Sequence, residues 1–305
     1  MRGLLTFLAA SLLPSFIRAA RVGLRHKVEE NGVVNDKYLN FIYGNSRLTV
    51  ISRVHSVSAT SLAEPNTVVT FIRSCESYAT SIILCVGLGD ALEHAEYLSD
   101  LKIAIAKESF LVQVIILPLV CWGKFTPALN AAISKAAENG DGYIAFQSLE
   151  FRISSSNVES LVDYIKKDPS ILVIGPRMNG HEFQFGSSDV DNILRGRTCP
   201  WNTFAIWRTR YLALTGFPMV ADGMGGNMGG VEEVTAITLL QSIFPELKAV
   251  LANIQGVKWD TNFTDPKRLQ WHEQKMRSKD ERPAKQLEWL GMKGGSVKHV
   301  DFNRL

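Results

Sequence analysis

The stretch ALNAAISKAAENGDGYIAFQSLEFR, Ala128–Arg152, decides the fold class. Its first half reads as a helix that ends at Asn139-Gly140, a glycine suited to a helix C-cap. Its second half, GYIAFQS, is an apolar run of strand length. The strand stops at a polar tip, Gln147, Ser148, Leu149 and Glu150. A helix that hands over to a strand apolar on both faces is the unit of a parallel sheet. In such sheets ligands bind beyond the carboxyl ends of the strands, so the tip is a place to look for chemistry.

The same alternation continues on both sides. NTVVTFIRS (66–74), SIILCVGLGD (81–90), LVQVIILPLV (111–120) and ILVIGPRM (171–178) are further apolar runs predicted as strands, with NTVVTFIRS the first. ALEHAEYLSDLKIAIAKES and NVESLVDYIKKDP are predicted helices, the second opened by Asn157 and stopped by Pro169. The expected fold is an α/β domain with a mostly parallel central sheet flanked by helices. Its strand ends would bring Arg73, Asp90, Gly123-Lys124 and Ser148–Glu150 to one crevice. Beyond residue 178 come a strand and short helix in WNTFAIWRTRYLALTGFP, a glycine-rich loop at 223–230, and a helix VEEVTAITLLQSIFPEL with an acidic first turn. The expected organisation is a targeting or anchor segment at 1–30, a stem with one short strand, RLTVISRV, at 31–65, the α/β domain at 66–260, and a charged helical tail at 261–305.

The 305 residues, 46% of them hydrophobic, suffice for a large core. A formal charge of +3 with scattered basic residues argues against a nucleic-acid partner. Four cysteines without a CxxC pair argue against structural zinc. The N-terminus carries an apolar run from Gly3 to Leu13, then Arg18, Arg21, Arg25 and Lys27. A secretory signal or short anchor, an organelle presequence and a membrane-touching helix all fit it. The secretory route (Golgi or ER lumen, with possible membrane contact through the N-terminus) is the expected localisation. Asn262-Phe263-Thr264 is a glycosylation sequon on that route.

The order VVTFIRS, IILCVGLGD, GKFTPALNAAISKA, GYIAFQSLE, WNTFAIWRTRYLALTGF and GGVEEV resembles the GT-A fold of nucleotide-sugar glycosyltransferases, the family-2 type above all. The resemblance covers roughly residues 66 to 245. It implies transfer of a sugar from a nucleotide-diphosphate donor to a hydroxyl of a glycan, lipid or protein acceptor, with inversion expected, assisted by Mn²⁺ or Mg²⁺. Asp90 stands where the family contacts the nucleotide. Ser148-Leu149-Glu150 stands where the family has Asp-x-Asp, so one carboxylate is missing from the metal motif. The Gln-x-x-Arg-Trp motif of the processive synthases is absent.

Each candidate has a plainer explanation beside the functional one. Glu150 is expected on the metal–diphosphate, or paired with Arg152. Asp90 contacts the nucleotide or merely caps a helix. Glu232 and Glu233 open a helix, where the dipole favours acids, and one of them, Glu233 by preference, is expected as general base. Arg73, Lys124 and Ser148 are assigned to the donor. Trp201 and Asn202 are assigned to the acceptor, Trp201 by stacking on a sugar or else as a core residue. His299 is a candidate late metal ligand, and the glycine loop a lid. The rivals are an inactive GT-A-like binding protein that keeps the nucleotide pocket, and another nucleotide-using α/β transferase.

Overall fold

In a computed structural model of the protein, Tyr143–Gln147 is strand β4 of a nine-stranded sheet. The structure describes residues 46–55, 62–88, 92–120, 122, 125–185, 191–226, 228–260 and 266–304. Asp90, Lys124, the targeting segment and the sequon lie outside them. Residues 45–305 form one compact unit.

The chain runs β1 (Leu48–Val54), α1 (Pro65–Cys75), β2 (Ser81–Gly87), α2 (Leu92–Ala106), β3 (Gln113–Leu119), α3 (Thr126–Glu138), β4, β5 (Phe151–Arg152), α4 (Ser155–Lys167) and β6 (Ile171–Pro176). It continues through β7 (Asn192–Ile193), β8 (Phe204–Arg208), α5 (Thr209–Thr215), α6 (Glu232–Ile243), β9 (Lys248–Asn253), β10 (Lys258–Trp259), α7 (Pro266–Arg277), α8 (Glu281–Leu290) and β11 (Ser296–Asp301). The sheet order is β3-β2-β1-β4-β8-β6-β9-β11-β7. Pairings are parallel except those made by β8 and by β7. The expected mostly parallel α/β sheet is therefore what forms. β2 is buried at all seven positions, as a strand covered by helices on both faces must be.

The order of the first four strands fixes the site. The chain builds outward from β1 to β2 and β3, then crosses to the other side of β1 for β4. The crevice of such a sheet opens at this reversal, beyond the carboxyl ends of β1 and β4.

Two segments differ from expectation. NTVVTFIRS is the helix α1, not the first strand. Val68, Phe71, Ile72 and Cys75 are its buried residues, spaced i, i+3, i+4, i+7 as one helical face requires, and Pro65 sits in its first turn. The first strand is instead LTVISRV, inside the range assigned to a stem, and it pairs with both β2 and β4. At the other end, VKHVD of the supposed helical tail is β11 and pairs in parallel with β9.

Candidate active site

The tip of β4 is a fixed turn. Ser148 N donates to Thr203 O at 2.9 Å, and Phe151 N donates to Ser148 O at 3.0 Å. Arg152 Nη1 donates to Leu149 O and Phe151 O at 2.5 and 3.0 Å, closing the turn over backbone carbonyls. Tyr78 Oη holds the Gln147 amide from below at 2.8 Å. Glu150 is exposed on the turn. Its carbonyl accepts from Asp260 N at 3.2 Å, which sets a second carboxylate residue beside it that sequence reasoning passed over.

Thr203 links this turn to the acidic pair. The residue before it, Asn202, donates its backbone N–H to Glu233 Oε1 at 2.5 Å and its Nδ2 to Glu232 Oε1 at 3.1 Å. Asn202 Oδ1 in turn accepts from Trp207 Nε1 at 3.0 Å. Both glutamates are about 5% exposed and open α6. Burial, then the like charge of Glu232, push the Glu233 carboxyl up to about 7. The residue that aims them, Val231, has φ 64°, a left-handed conformation that a β-branched residue adopts only under constraint.

The α5–α6 connection is anchored from α3. Asn130 Oδ1 accepts from Phe217 N at 2.8 Å and its Nδ2 donates to Phe217 O at 3.0 Å. Asp222 Oδ1 accepts from Phe125 N and Thr126 N at 2.7 and 2.9 Å, capping α3. The glycine loop, a lid on sequence grounds, is pinned at its C-terminal end. Arg282 Nη1 donates to Gly229 O at 2.9 Å, and Gln286 Nε2 donates to Met228 O and Gly230 O at 2.9 and 3.0 Å.

At the ends of β1 and β3, His55 and Trp122 stack with ring centroids 4.9 Å apart. Gly87 at the end of β2 makes room for the indole, since a Cβ there would lie 2.8 Å from Trp122 Cε3. Burial, then Arg53 and Lys275, hold His55 down at about 4. Neither aromatic was a candidate from sequence. His55 fell in the range assigned to the stem.

The structure thus brings Ser148, Glu150, Asn202, Glu232 and Glu233 to one edge of the sheet. It removes three other candidates. Arg73 lies on α1, which runs back against the strands, so its end faces the opposite edge. There the guanidinium pairs with Glu108 and Glu76 at 2.7 and 3.0 Å. Trp201 is at this edge but 1% exposed. His181 stacks on it with centroids 3.6 Å apart, Lys279 Nζ sits 3.2 Å from its ring centroid, and Nε1 donates to Gly196 O. No sugar can reach that face. His299 on β11 is four strand spacings from β4, about 19 Å at ~4.8 Å each. Its Nδ1 accepts from Gln184 N at 2.9 Å, and its ring stacks on Phe183. It cannot share a cation with Glu150.

Among the described residues no group of three His, Cys, Asp or Glu side chains could hold a metal ion. What the turn offers is Glu150, the Ser148 hydroxyl and neighbouring Asp260. These fit a hard cation that takes most of its ligands from substrate phosphate and water. Two surface cavities of about 330 and 320 Å³ lie along the α6–α8 and α1–α2 seams, the first lined in part by Val234, next in sequence to Glu233.

No protein-family model matches the sequence, and no curated protein does. Solved structures do match in shape. Glucosyl-3-phosphoglycerate synthase from Mycobacterium tuberculosis, in complex with Mn²⁺, UDP and phosphoglyceric acid, is 13% identical with a TM-score of 0.47, over 88% of this chain and 92% of that one. The mannosyltransferase PcManGT from Pyrobaculum calidifontis, in complex with GDP-Man and Mn²⁺, is 13% identical with a TM-score of 0.39, over 56% and 47%. TarS of S. aureus is 13% identical with a TM-score of 0.39, over 61% and 52%. The chain spans about half the length of the last two. At these TM-scores the likenesses decide nothing about function, and the fold rests on the sheet itself.

Proposed function

We propose that the protein is a glycosyltransferase that moves a sugar from a nucleoside-diphosphate donor to a hydroxyl acceptor by a single displacement with inversion. The observation that carries this reading is the buried Glu232–Glu233 pair, held by Asn202 one residue from the partner of Ser148, beyond the carboxyl ends of the strands. A carboxylate poised near 7 takes a hydroxyl proton efficiently at neutral pH.

In the proposed step the acceptor oxygen bonds to the anomeric carbon as its proton passes to Glu233. The bond from that carbon to the diphosphate oxygen breaks, and its electron pair leaves with the nucleoside diphosphate. Asn202 fixes the orientation of Glu233 through its backbone N–H. Glu150, with Ser148 and Asp260 beside it, would hold a divalent cation, which when bound supplies positive charge to the leaving diphosphate. The nucleotide would lie toward β1 to β3, where the buried Trp122 Nε1 has no hydrogen-bond partner among the described residues.

The test is release of nucleoside diphosphate from UDP- and GDP-sugars by the full chain, with Glu233→Gln beside it. Release that falls by a hundredfold or more in Glu233→Gln is expected for loss of a general base. Nucleotide binding by folded wild type without release, over a broad acceptor set, would move the reading to the inactive relative. Equal release by both proteins would remove Glu233 from the mechanism.

A further inference from the structure

The connection from α5 to α6 has an unusual surface. Residues 211–231, YLALTGFPMVADGMGGNMGGV, carry one charged side chain, Asp222, in a chain that is 21% charged. That carboxylate is buried and turned inward to cap α3, so it lends no charge to the surface. Three of the seven methionines fall in this stretch, Met219, Met224 and Met228. Together with Leu214 they are between 44% and 57% exposed. The other large exposed apolar side chains among the described residues are spread along the rest of the chain, as is ordinary for a protein surface. An uncharged stretch that gathers four of them is not ordinary.

Backbone contacts fix where these side chains stand. Gly230 N donates to Ala221 O at 2.7 Å, closing a loop that carries Met224 and Met228. A Cβ on Gly229 would lie 3.2 Å from Ala221 O, so the two arms meet closely at its base. On the first arm Thr126 Oγ1 donates to Met219 Sδ at 3.3 Å. This seats Met219 at the head of α3, the helix that follows β3 at the carboxyl edge of the sheet. The second arm is held by Arg282 and Gln286 and runs into α6, where Glu232 follows Gly230 by two residues. The loop therefore stands on the edge that carries the proposed base. Leaving apolar side chains in water contributes nothing to folding. Methionine, unbranched and polarizable, adapts to apolar partners of varied shape.

We infer that this uncharged methionine surface receives an apolar chain of the acceptor, so that the hydroxyl brought to Glu233 is borne on an amphiphile, a polar head with an alkyl, acyl or isoprenoid tail. The donor is polar along its whole length and gains nothing from such a surface. The acceptor is the reactant whose remainder must leave the crevice beside the base, and the α5–α6 connection is what it meets there. A chain laid on the loop is dehydrated on one side by Met224 and Met228, and no charged side chain of 211–231 has to be dehydrated with it. The inference rests on the transferase reading above and names the class of its acceptor.

The test is calorimetric titration of the full chain with methyl, butyl, hexyl and octyl glycosides of glucose, galactose and mannose, each below its micelle-forming concentration. Release of nucleoside diphosphate from UDP- and GDP-sugars is followed with the same series. Affinity is expected to rise about twofold per added methylene, half the free energy of a fully buried one. Met224→Gln combined with Met228→Gln should flatten that rise, and the two leucine replacements should keep it, with folding of each variant checked by its urea midpoint. Affinity that does not change with chain length, or that rises as steeply in the glutamine variant, would overturn the inference and leave the transferase reading standing. A dimer seen by light scattering in wild type and lost in the glutamine variant would also overturn it, giving the surface to a second copy of the chain. A chain-length dependence that the glutamine variant loses, without release of nucleoside diphosphate from any donor, would overturn the transferase reading while the apolar seat stands.

Discussion

Replacing Asn202 by alanine removes the residue that joins the β4 turn, the acidic pair and β8. The Nδ2 hydrogen bond to buried Glu232 at 3.1 Å is lost, and a bond to a charged group is worth about 1.5–3 kcal/mol. Trp207 Nε1, inside a fully buried ring, loses its acceptor, and an unsatisfied buried donor costs about 1–3 kcal/mol. The backbone bond from residue 202 to Glu233 survives, because it does not involve the side chain. Allowing for relaxation at a shared site, we expect a loss near 3 kcal/mol. Urea unfolding should show a lower midpoint with an unchanged slope, since the surface exposed on unfolding is the same. The melting temperature should fall by roughly 6–12 °C, at about 2–4 °C per kcal/mol for a domain of this size. Asn202→Asp retains an acceptor for Trp207 but sets a third carboxylate against Glu232, so it should recover none of the loss at pH 8. A loss below about 1 kcal/mol in Asn202→Ala would mean that Asn202 does not cradle the pair, and the geometry assigned to Glu233 would fall with it.

Two further outcomes follow from the same edge. Gly216 has φ 59° and ψ −161°, a region open essentially to glycine, and a Cβ there would lie 2.6 Å from Asn130 Oδ1. Gly216→Ala should therefore cost about 3 kcal/mol or more by urea unfolding, and a near-neutral result would contradict the Asn130–Phe217 clamp. Glu233 has a folded-state value raised to about 7 from 4.5. The stability it contributes is present below pH 4.5 and is lost as the pH rises through 7. Urea midpoints should fall from pH 5 to pH 8 in wild type by more than in Glu233→Gln. Lys275 and Lys279, held down near 7 and 8, oppose this fall at the upper end of the range in both proteins, so the difference between wild type and Glu233→Gln isolates the carboxyl. Transfer, which needs the ionised base, should rise through the same pH range, and parallel midpoint profiles in the two proteins would refute the assignment.

The α/β class was readable from local pattern, because strands buried on both faces must be apolar throughout and helices between them must repeat near 3.6 residues. β2, β4 and α3 were legible for that reason, β3 as an apolar run of strand length although it lies half-buried at the sheet edge, and the acidic first turn of α6 was legible too. NTVVTFIRS misled because a short apolar run satisfies both periods, and only Pro65 and the 68/71/72/75 spacing favour the helix. That one exchange moved Arg73 to the wrong edge of the sheet and left β1, with Arg53 and His55, in a supposed stem. Trp201 and His299 carry no local mark of their surroundings. Each was lost to the site through partners that lie far along the chain, His181 and Lys279 for one, Gln184 and Phe183 for the other. Lys279 and Arg282 act on Glu232 and Glu233 from nearly fifty residues further along the chain. These relations come from the packed fold, because they are set by the order of strands in the sheet and by which helices cross its edge, and neither is written in any local period of the sequence.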